Sequence, residues 1–190
     1  MAKRKDKKRD KNEGKDAATG SSTPLGKLRT FGDLALKQQT REITEFDSRL
    51  QTLASQMHEV MEREGGVGFA APQIGLLSRL IVWRDLDDDN LRYTFVNPHI
   101  LECSKETEVF EEGCLSVPGI RVEVERPCEV TVRYQSVDGE LHEERLRDFP
   151  ARVVQHEIDH LDGFLILDRC SKEERKRALK ELREMSMEEY

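Results

Sequence analysis

QHEIDH, residues 155–160, is the most informative segment of this 190-residue chain. In a helix, His156 and His160 lie on one face one turn apart, so two imidazoles can bind one metal ion. Glu157 is next to the first of them, where it can reach a water molecule at the metal without being a ligand. The segment therefore predicts a helix that carries a metal site.

Three helices are predicted around this segment, and they cover residues 151–161, residues 44–62 and a segment that begins at Ser171. The motif helix follows a proline and stops before Gly163. In the first helix, Thr44 and Asp47 have capping-box spacing, which predicts its start at Thr44. An apolar residue then recurs at three- and four-residue steps, as in an amphipathic helix.

Short runs with apolar alternation predict β-strands at residues 80–83, 93–96, 120–124, 130–134 and 141–146. The last two are separated by Asp138-Gly139, a tight-turn signal. The three final strands follow one another closely, which predicts a meander in an antiparallel sheet. The order of helix, strands, helix and helix indicates an α+β fold.

Charge is unevenly distributed along the chain. The formal net charge is −7, but residues 1–16 hold eight Lys or Arg and four acids. The acidic remainder disfavours a nucleic-acid-binding domain. The basic end could touch RNA, but it is expected to be a disordered, solvated tail. No apolar run is long enough for a membrane span or a secretion signal. A bacterial cytosolic protein is expected, with its four cysteines as thiols or metal ligands rather than disulfides.

The third metal ligand is open on the motif alone. Zinc peptidases take it from a downstream His or Glu; no His follows His160, although Glu173 and Glu174 do. Upstream, Cys114 lies in EGCLS (112–116), where its thiolate could be a ligand. A third unusual segment, GVGFAAPQ (66–73), ends in an amide that could stabilise an oxyanion.

Together, these three segments resemble the signature motifs of peptide deformylases. The family patterns are GxGxAAxQ, EGCLS and QHExDH, and the chain has them in the same order. Phe69 replaces the usual Leu of the first pattern, a change that affects packing rather than chemistry. The similarity extends over about residues 27–185.

The resemblance implies an α+β fold in which small mixed or antiparallel sheets pack around the motif helix. It implies one Fe²⁺ per chain, replaceable by Zn²⁺ or Ni²⁺, with three protein ligands: Cys114, His156 and His160. The implied catalytic groups are Glu157 as general acid and base, and the Gln73 amide and Leu115 N–H as oxyanion donors. The implied substrate contacts are Val67, Gly68, Phe110 and Val153.

Composition, apolar periodicity and the resemblance together suggest how the chain is organised and what it binds. We expect a tail at residues 1–26, a catalytic domain at 27–170 and a C-terminal helix at 171–190. The implied substrates are N-formylmethionyl nascent chains, from which formate is released. The C-terminal helix could contact the ribosome; the expected state is a cytoplasmic monomer without DNA or membrane partners.

Three alternatives stay open. A metallopeptidase would use the same helix with a ligand set lacking sulfur. A binding module would hold metal only for stability, although it would need neither Glu157 nor Gln73. A deformylase relative could keep the chemistry and take another substrate.

Overall fold

A computed structural model describes residues 25–86 and 91–188, so the predicted tail falls largely outside the described residues. The seven strands are β1 (Gly68–Ala70), β2 (Leu80–Arg84), β3 (Arg92–Cys103), β4 (Thr107–Cys114), β5 (Val117–Pro127), β6 (Glu129–Gln135) and β7 (Leu141–Arg147). The three α-helices are α1 (Ser48–Arg63), α2 (Asp148–Leu161) and α3 (Lys172–Glu188). Short 3₁₀ turns occupy Leu34–Lys37, Ala71–Ile74 and Ile166–Asp168. The predicted α+β fold class is confirmed.

The strands form two antiparallel sheets. One has five strands in the order β1-β2-β3-β6-β7, and the other is the β4–β5 hairpin. The predicted meander of the last three strands is right for β6 and β7, which pair in an antiparallel hairpin around Asp138-Gly139. It is wrong for β5, because β5 pairs with β4 whereas β6 pairs with β3. The physical reason is that β5 buries its apolar residues in a separate cluster shared with α3, and β6 buries its own against α2. Strand β4 was not predicted, since its sequence is mostly exposed and lacks apolar alternation.

Helix α1 begins later than predicted. Its N-cap is Asp47, whose carboxylate accepts hydrogen bonds from the N–H groups of Arg49 and Leu50 at 2.9 and 3.1 Å. One capping carboxylate satisfies donors that the first turn leaves unpaired. The prediction of a start at Thr44 is therefore wrong, although the amphipathic helix itself is present.

Helix α2 begins at Asp148, three residues before the predicted start. Pro150 lies in its first turn, where a missing N–H breaks no intrahelical hydrogen bond. The helix packs against the five-stranded sheet through Val154, Ile158 and Leu161. Gly163 follows it with a φ of 82°, a left-handed conformation that favours glycine. The fold thereby holds the motif helix in the protein interior.

Helix α3 packs against the β4–β5 hairpin through the buried Ala178 and the half-buried Leu179 and Leu182. Ser171 precedes it, and its hydroxyl accepts a hydrogen bond from the Glu174 N–H at 3.1 Å, in agreement with the predicted start. Among the described residues, no helix is both long and apolar enough to cross a membrane.

Candidate active site

Three potential metal ligands meet where α2 faces the end of β4. The rings of His156 and His160 have centroids 5.1 Å apart. Cys114, the last residue of β4, places its Sγ 3.2 Å from His160 Nε2. One ligand atom from each of the three residues lies within 4.8 Å of the others.

This donor set fits a metal ion. Tetrahedral metal–sulfur and metal–nitrogen bonds of about 2.0–2.3 Å place neighbouring ligand atoms roughly 3.3–3.7 Å apart. The Cys114–His160 distance is close to that range. A thiolate with two imidazoles accepts several divalent transition metals. Among the described residues this is the one such cluster of His, Cys, Asp or Glu.

Glu112 orients the first histidine. Its Oε2 lies 3.0 Å from His156 Nδ1, which leaves the other ring nitrogen for a ligand role. Arg126 donates two hydrogen bonds to this buried carboxylate, at 2.7 and 3.0 Å, and Arg152 donates one at 2.8 Å. Burial alone would raise the pKa of Glu112, but the hydrogen bonds from His156 and Arg126 hold it well below its usual range. The carboxylate is thus fixed in its charged form.

Glu112, Arg126 and Arg152 have no role in the sequence predictions. The position of Glu112 inside a matched motif was a signal for it. The two arginines had no comparable signal, since a charged residue on a strand or helix is usually exposed. In the structure both are more than nine-tenths buried.

Glu157 is buried beside the ligand cluster. Its Oε2 has no hydrogen-bond partner among the described residues. Burial raises the pKa of Glu157 to about 7, opposed by the positive charges of His156 and Arg126. A carboxyl group with such a pKa can accept and release a proton near neutral pH.

The absence of a side chain at Gly68 leaves room for the Glu157 carboxyl group as well as for the cavity. A Cβ at position 68 would lie 2.4 Å from Glu157 Oε1 and 2.9 Å from its carboxyl carbon. Those distances are too short for any side chain. The sequence predicted Gly68 only as a place for a peptide to approach the backbone.

One cavity of about 750 Å³ brings most of the predicted residues together. Nine of the ten line it; His160 is not among the lining residues and is almost fully buried. The predicted pocket walls differ in depth, because Phe110 is half exposed and Val153 is buried. Arg152 lies over the Phe110 ring at 5.5 Å from its centroid and supports that wall.

The two predicted oxyanion donors lie on neighbouring turns. Gln73 belongs to the 3₁₀ turn after β1, where its Oε1 accepts a hydrogen bond from the Ala70 N–H at 2.8 Å. Its Nε2 is 3.2 Å from the Ser116 hydroxyl, which has no role in the sequence predictions. Leu115 lies between Cys114 and Ser116 in the turn that joins β4 to β5.

Comparison with known proteins finds one consistent family. The family model for polypeptide deformylase matches residues 26–176. A peptide deformylase of Thermotoga neapolitana is 50% identical over 143 residues, which are 75% of this chain and 85% of that protein. The crystal structure of the Thermotoga maritima peptide deformylase has a TM-score of 0.74 and 46% identity, covering 77% of this chain and 98% of the other. A Plasmodium falciparum peptide deformylase structure reaches a TM-score of 0.80 at 34% identity, covering 85% and 96%.

Proposed function

Because this chain belongs to the polypeptide deformylase family, it is an enzyme that removes the N-formyl group from new protein chains, and we propose which residues do so. Cys114, His156 and His160 hold the catalytic metal, and Glu157 carries the proton. The observation that carries the assignment is that these three ligand atoms lie within 4.8 Å of one another, beside a buried carboxyl group.

The metal is proposed to be Fe²⁺. The donor set also accepts Zn²⁺ or Ni²⁺, so it supports a divalent transition metal more strongly than any one ion. When bound, the metal supplies a Lewis acid that activates water and polarises the formyl carbonyl. Glu112 keeps the His156 ring oriented for this ion through the 3.0 Å contact.

Glu157 is the proposed general base and then the general acid. It accepts a proton from the attacking water as the oxygen adds to the formyl carbon. It then donates that proton to the departing amine, so that formate and a free N-terminal methionine result. Burial raises the pKa of Glu157, which helps the carboxyl group to hold the proton between the two transfers.

The Gln73 amide and the Leu115 N–H are the proposed donors to the developing oxyanion. Gln73 is 98% buried, so its amide acts away from competing water. In this role its Nε2 is shared between the substrate oxygen and the Ser116 hydroxyl, 3.2 Å away.

Val67 and Gly68 are proposed to border the extended substrate, and Phe110 and Val153 the methionine side chain. All four line the same cavity as Glu157. An apolar wall beside an aromatic ring suits a thioether.

Contact with the ribosome through α3 stays a prediction. Three of its bases pair with acids, in the ion pairs Arg175–Asp168, Arg177–Glu174 and Lys180–Glu184. These pairs reduce the charge available to RNA phosphates and favour a helix that stabilises the domain. We also propose that the protein is a monomer in the bacterial cytosol. Like the ribosome contact, this stays a prediction.

Formate release from formyl-Met-Ala-Ser, measured anaerobically with metal content determined on the same sample, tests the function. We expect turnover that follows the bound metal. Hydrolysis of internal peptide bonds without formate release would instead support a metallopeptidase.

A further inference from the structure

The N-terminal strap, defined here as residues 25–31, crosses the protein beside the active-site cavity. Leu25 and Leu28 pack against the apolar cluster that also contains Leu115. Leu28 lines the cavity as well. The strap is therefore in contact with the site, although it contains none of the three motifs.

Two short backbone hydrogen bonds attach the strap to two different parts of the site. The Arg29 N–H donates to the Gln73 carbonyl at 2.7 Å. The Phe31 N–H donates to the Ser116 carbonyl, also at 2.7 Å. Gln73 follows β1 of the five-stranded sheet, whereas Ser116 belongs to the turn of the β4–β5 hairpin. The strap thus bridges the two turns that carry the proposed oxyanion donors.

Those turns meet directly through one further contact. Gln73 Nε2 donates to the Ser116 hydroxyl at 3.2 Å, and both side chains are buried. A longer, neutral hydrogen bond between two side chains leaves freedom in their spacing. The two 2.7 Å backbone hydrogen bonds from the strap restrict the spacing of the two turns.

The strap fits closely against the turn that carries Gln73. A Cβ at Gly26 would lie 2.8 Å from the Ile74 carbonyl oxygen. The Arg29 side chain lies over Gly75, where an added Cβ would be 2.9 Å from its Nε. Movement of the strap towards this turn therefore has to displace the turn as well.

We propose that Arg29 and Phe31 are positioning residues for deformylation, acting through their backbone N–H groups. They hold the turns of Gln73 and Leu115 at one separation, so that both donors reach the same oxygen in the transition state. Preorganised donors stabilise developing charge, and a misplacement of about 1 Å can cost roughly 100-fold in rate. The inference rests on the oxyanion roles proposed above.

Proline scanning tests it in the metal-loaded, full-length enzyme. Arg29→Pro and Phe31→Pro each delete one N–H donor. Thr30→Pro is the matched control, since Thr30 is exposed and its N–H donates no hydrogen bond among the described residues. With formyl-Met-Ala-Ser we expect kcat per bound metal to fall about 10-fold or more in the two variants, with KM changed less than about 3-fold. Thr30→Pro should keep kcat within about 3-fold of the unmodified enzyme.

Gly26→Ala gives a milder perturbation that keeps every N–H and moves the strap away from Ile74. We expect about a 3-fold fall in kcat. Equal kcat in the control and in folded, metal-loaded Arg29→Pro and Phe31→Pro overturns the proposal. If the proline variants do not fold, an unchanged kcat in Gly26→Ala overturns it.

A Gln73→Ala background separates this inference from the oxyanion assignment. Arg29→Pro should add little to Gln73→Ala, because it acts through that residue. A full additional loss overturns the positioning role. A normal kcat in Gln73→Ala alone rejects the oxyanion role proposed for Gln73. The positioning role of the strap is then decided by Phe31→Pro, which removes the hydrogen bond to the turn that contains Leu115.

Discussion

Gly68 leaves the space that the Glu157 carboxylate fills. The two residues are far apart in the sequence, so the pattern that contains Gly68 gave no sign of this contact. The glycine was predicted as a substrate contact, whereas an added Cβ would lie 2.4 Å from Glu157 Oε1. At the scale of single residues, the motifs predicted which residues form the site. Only the fold shows which of these residues contact each other.

Gly68→Ala should therefore displace the proposed base. We expect at least a 100-fold loss in kcat with metal content retained, because Glu157 must leave the position proposed for its proton transfers. Gly113→Ala is the comparison, since its Cβ would have no neighbour closer than 3.8 Å. Similar kinetics in both variants would argue against a steric requirement at Gly68.

Cys114→Ser tests the third ligand. A hydroxyl is a poorer donor than a thiolate for these metals, so the variant should bind metal more weakly. In a Co²⁺-loaded enzyme, the sulfur-to-metal absorption band should disappear. The same change at Cys103, Cys128 or Cys170 should leave the band intact. An unchanged spectrum in Cys114→Ser would place the third ligand elsewhere.

The residues at which helices begin and end depend on contacts in the structure. Capping patterns in the sequence describe these contacts only in part. Thr44 and Asp47 have capping-box spacing, yet Asp47 alone is the N-cap of α1. The motif helix was predicted because its apolar residues and its proposed ligands recur with the same helical period. Strand β4 escaped notice, since a hairpin strand with exposed acids has no apolar alternation.

Asp168 joins three elements near the C-terminus. It accepts hydrogen bonds from Lys37, from the Leu165 N–H and from Arg175 at 2.6, 2.9 and 2.8 Å. Burial would raise the pKa of Asp168, but these bonds, led by that from Lys37, lower it. Because the folded pKa is the lower one, the stabilisation is present above the unfolded pKa of about 4 and is lost as the pH falls through the folded pKa.

Asp168→Asn should reduce the free energy of unfolding at pH 7 by about 1–2 kcal/mol, somewhat less than is usual for hydrogen bonds to a charged group, because Lys37 and Arg175 are partly exposed. Denaturant titrations at several pH values measure it. The difference between variant and parent should begin to shrink below about pH 4, the unfolded pKa, and disappear below the lower folded pKa, where the folded carboxylate is protonated. Asp138→Asn, at an exposed turn, is the control. A difference independent of pH would show that the charge of Asp168 is not the cause.

Helix α3 is expected to stabilise the domain. Truncation after Cys170 removes the buried Ala178 and should lower the Tm measurably. A triple change to Gln at Lys172, Lys176 and Arg183 removes the three bases that form no ion pair within the described residues. This variant should keep the parent Tm. Salt-sensitive co-sedimentation with ribosomes by the parent, lost in the triple variant, would instead support ribosome contact.

For the whole molecule, the sequence predicted which residues lie together better than it predicted the topology. The three motifs named residues that the structure brings to one cavity, with nine of the ten predicted site residues lining it. The division into two sheets depends on which apolar face each strand buries, and the alternation along β5 and β6 is alike. The strap and the arginines around Glu112 were also missed, because their roles come from backbone bonds and burial rather than from residue type.

The most direct test of the whole account is formate release per bound metal in Glu157→Ala, beside the unmodified enzyme at equal metal loading. Glu157 is next to the proposed ligand His156 in the sequence. Its proposed role, however, is proton transfer and not metal binding. The variant should therefore keep its metal and lose roughly 10²–10⁴-fold in kcat, the usual contribution of general acid–base catalysis. Near-normal turnover at equal metal content would contradict the account.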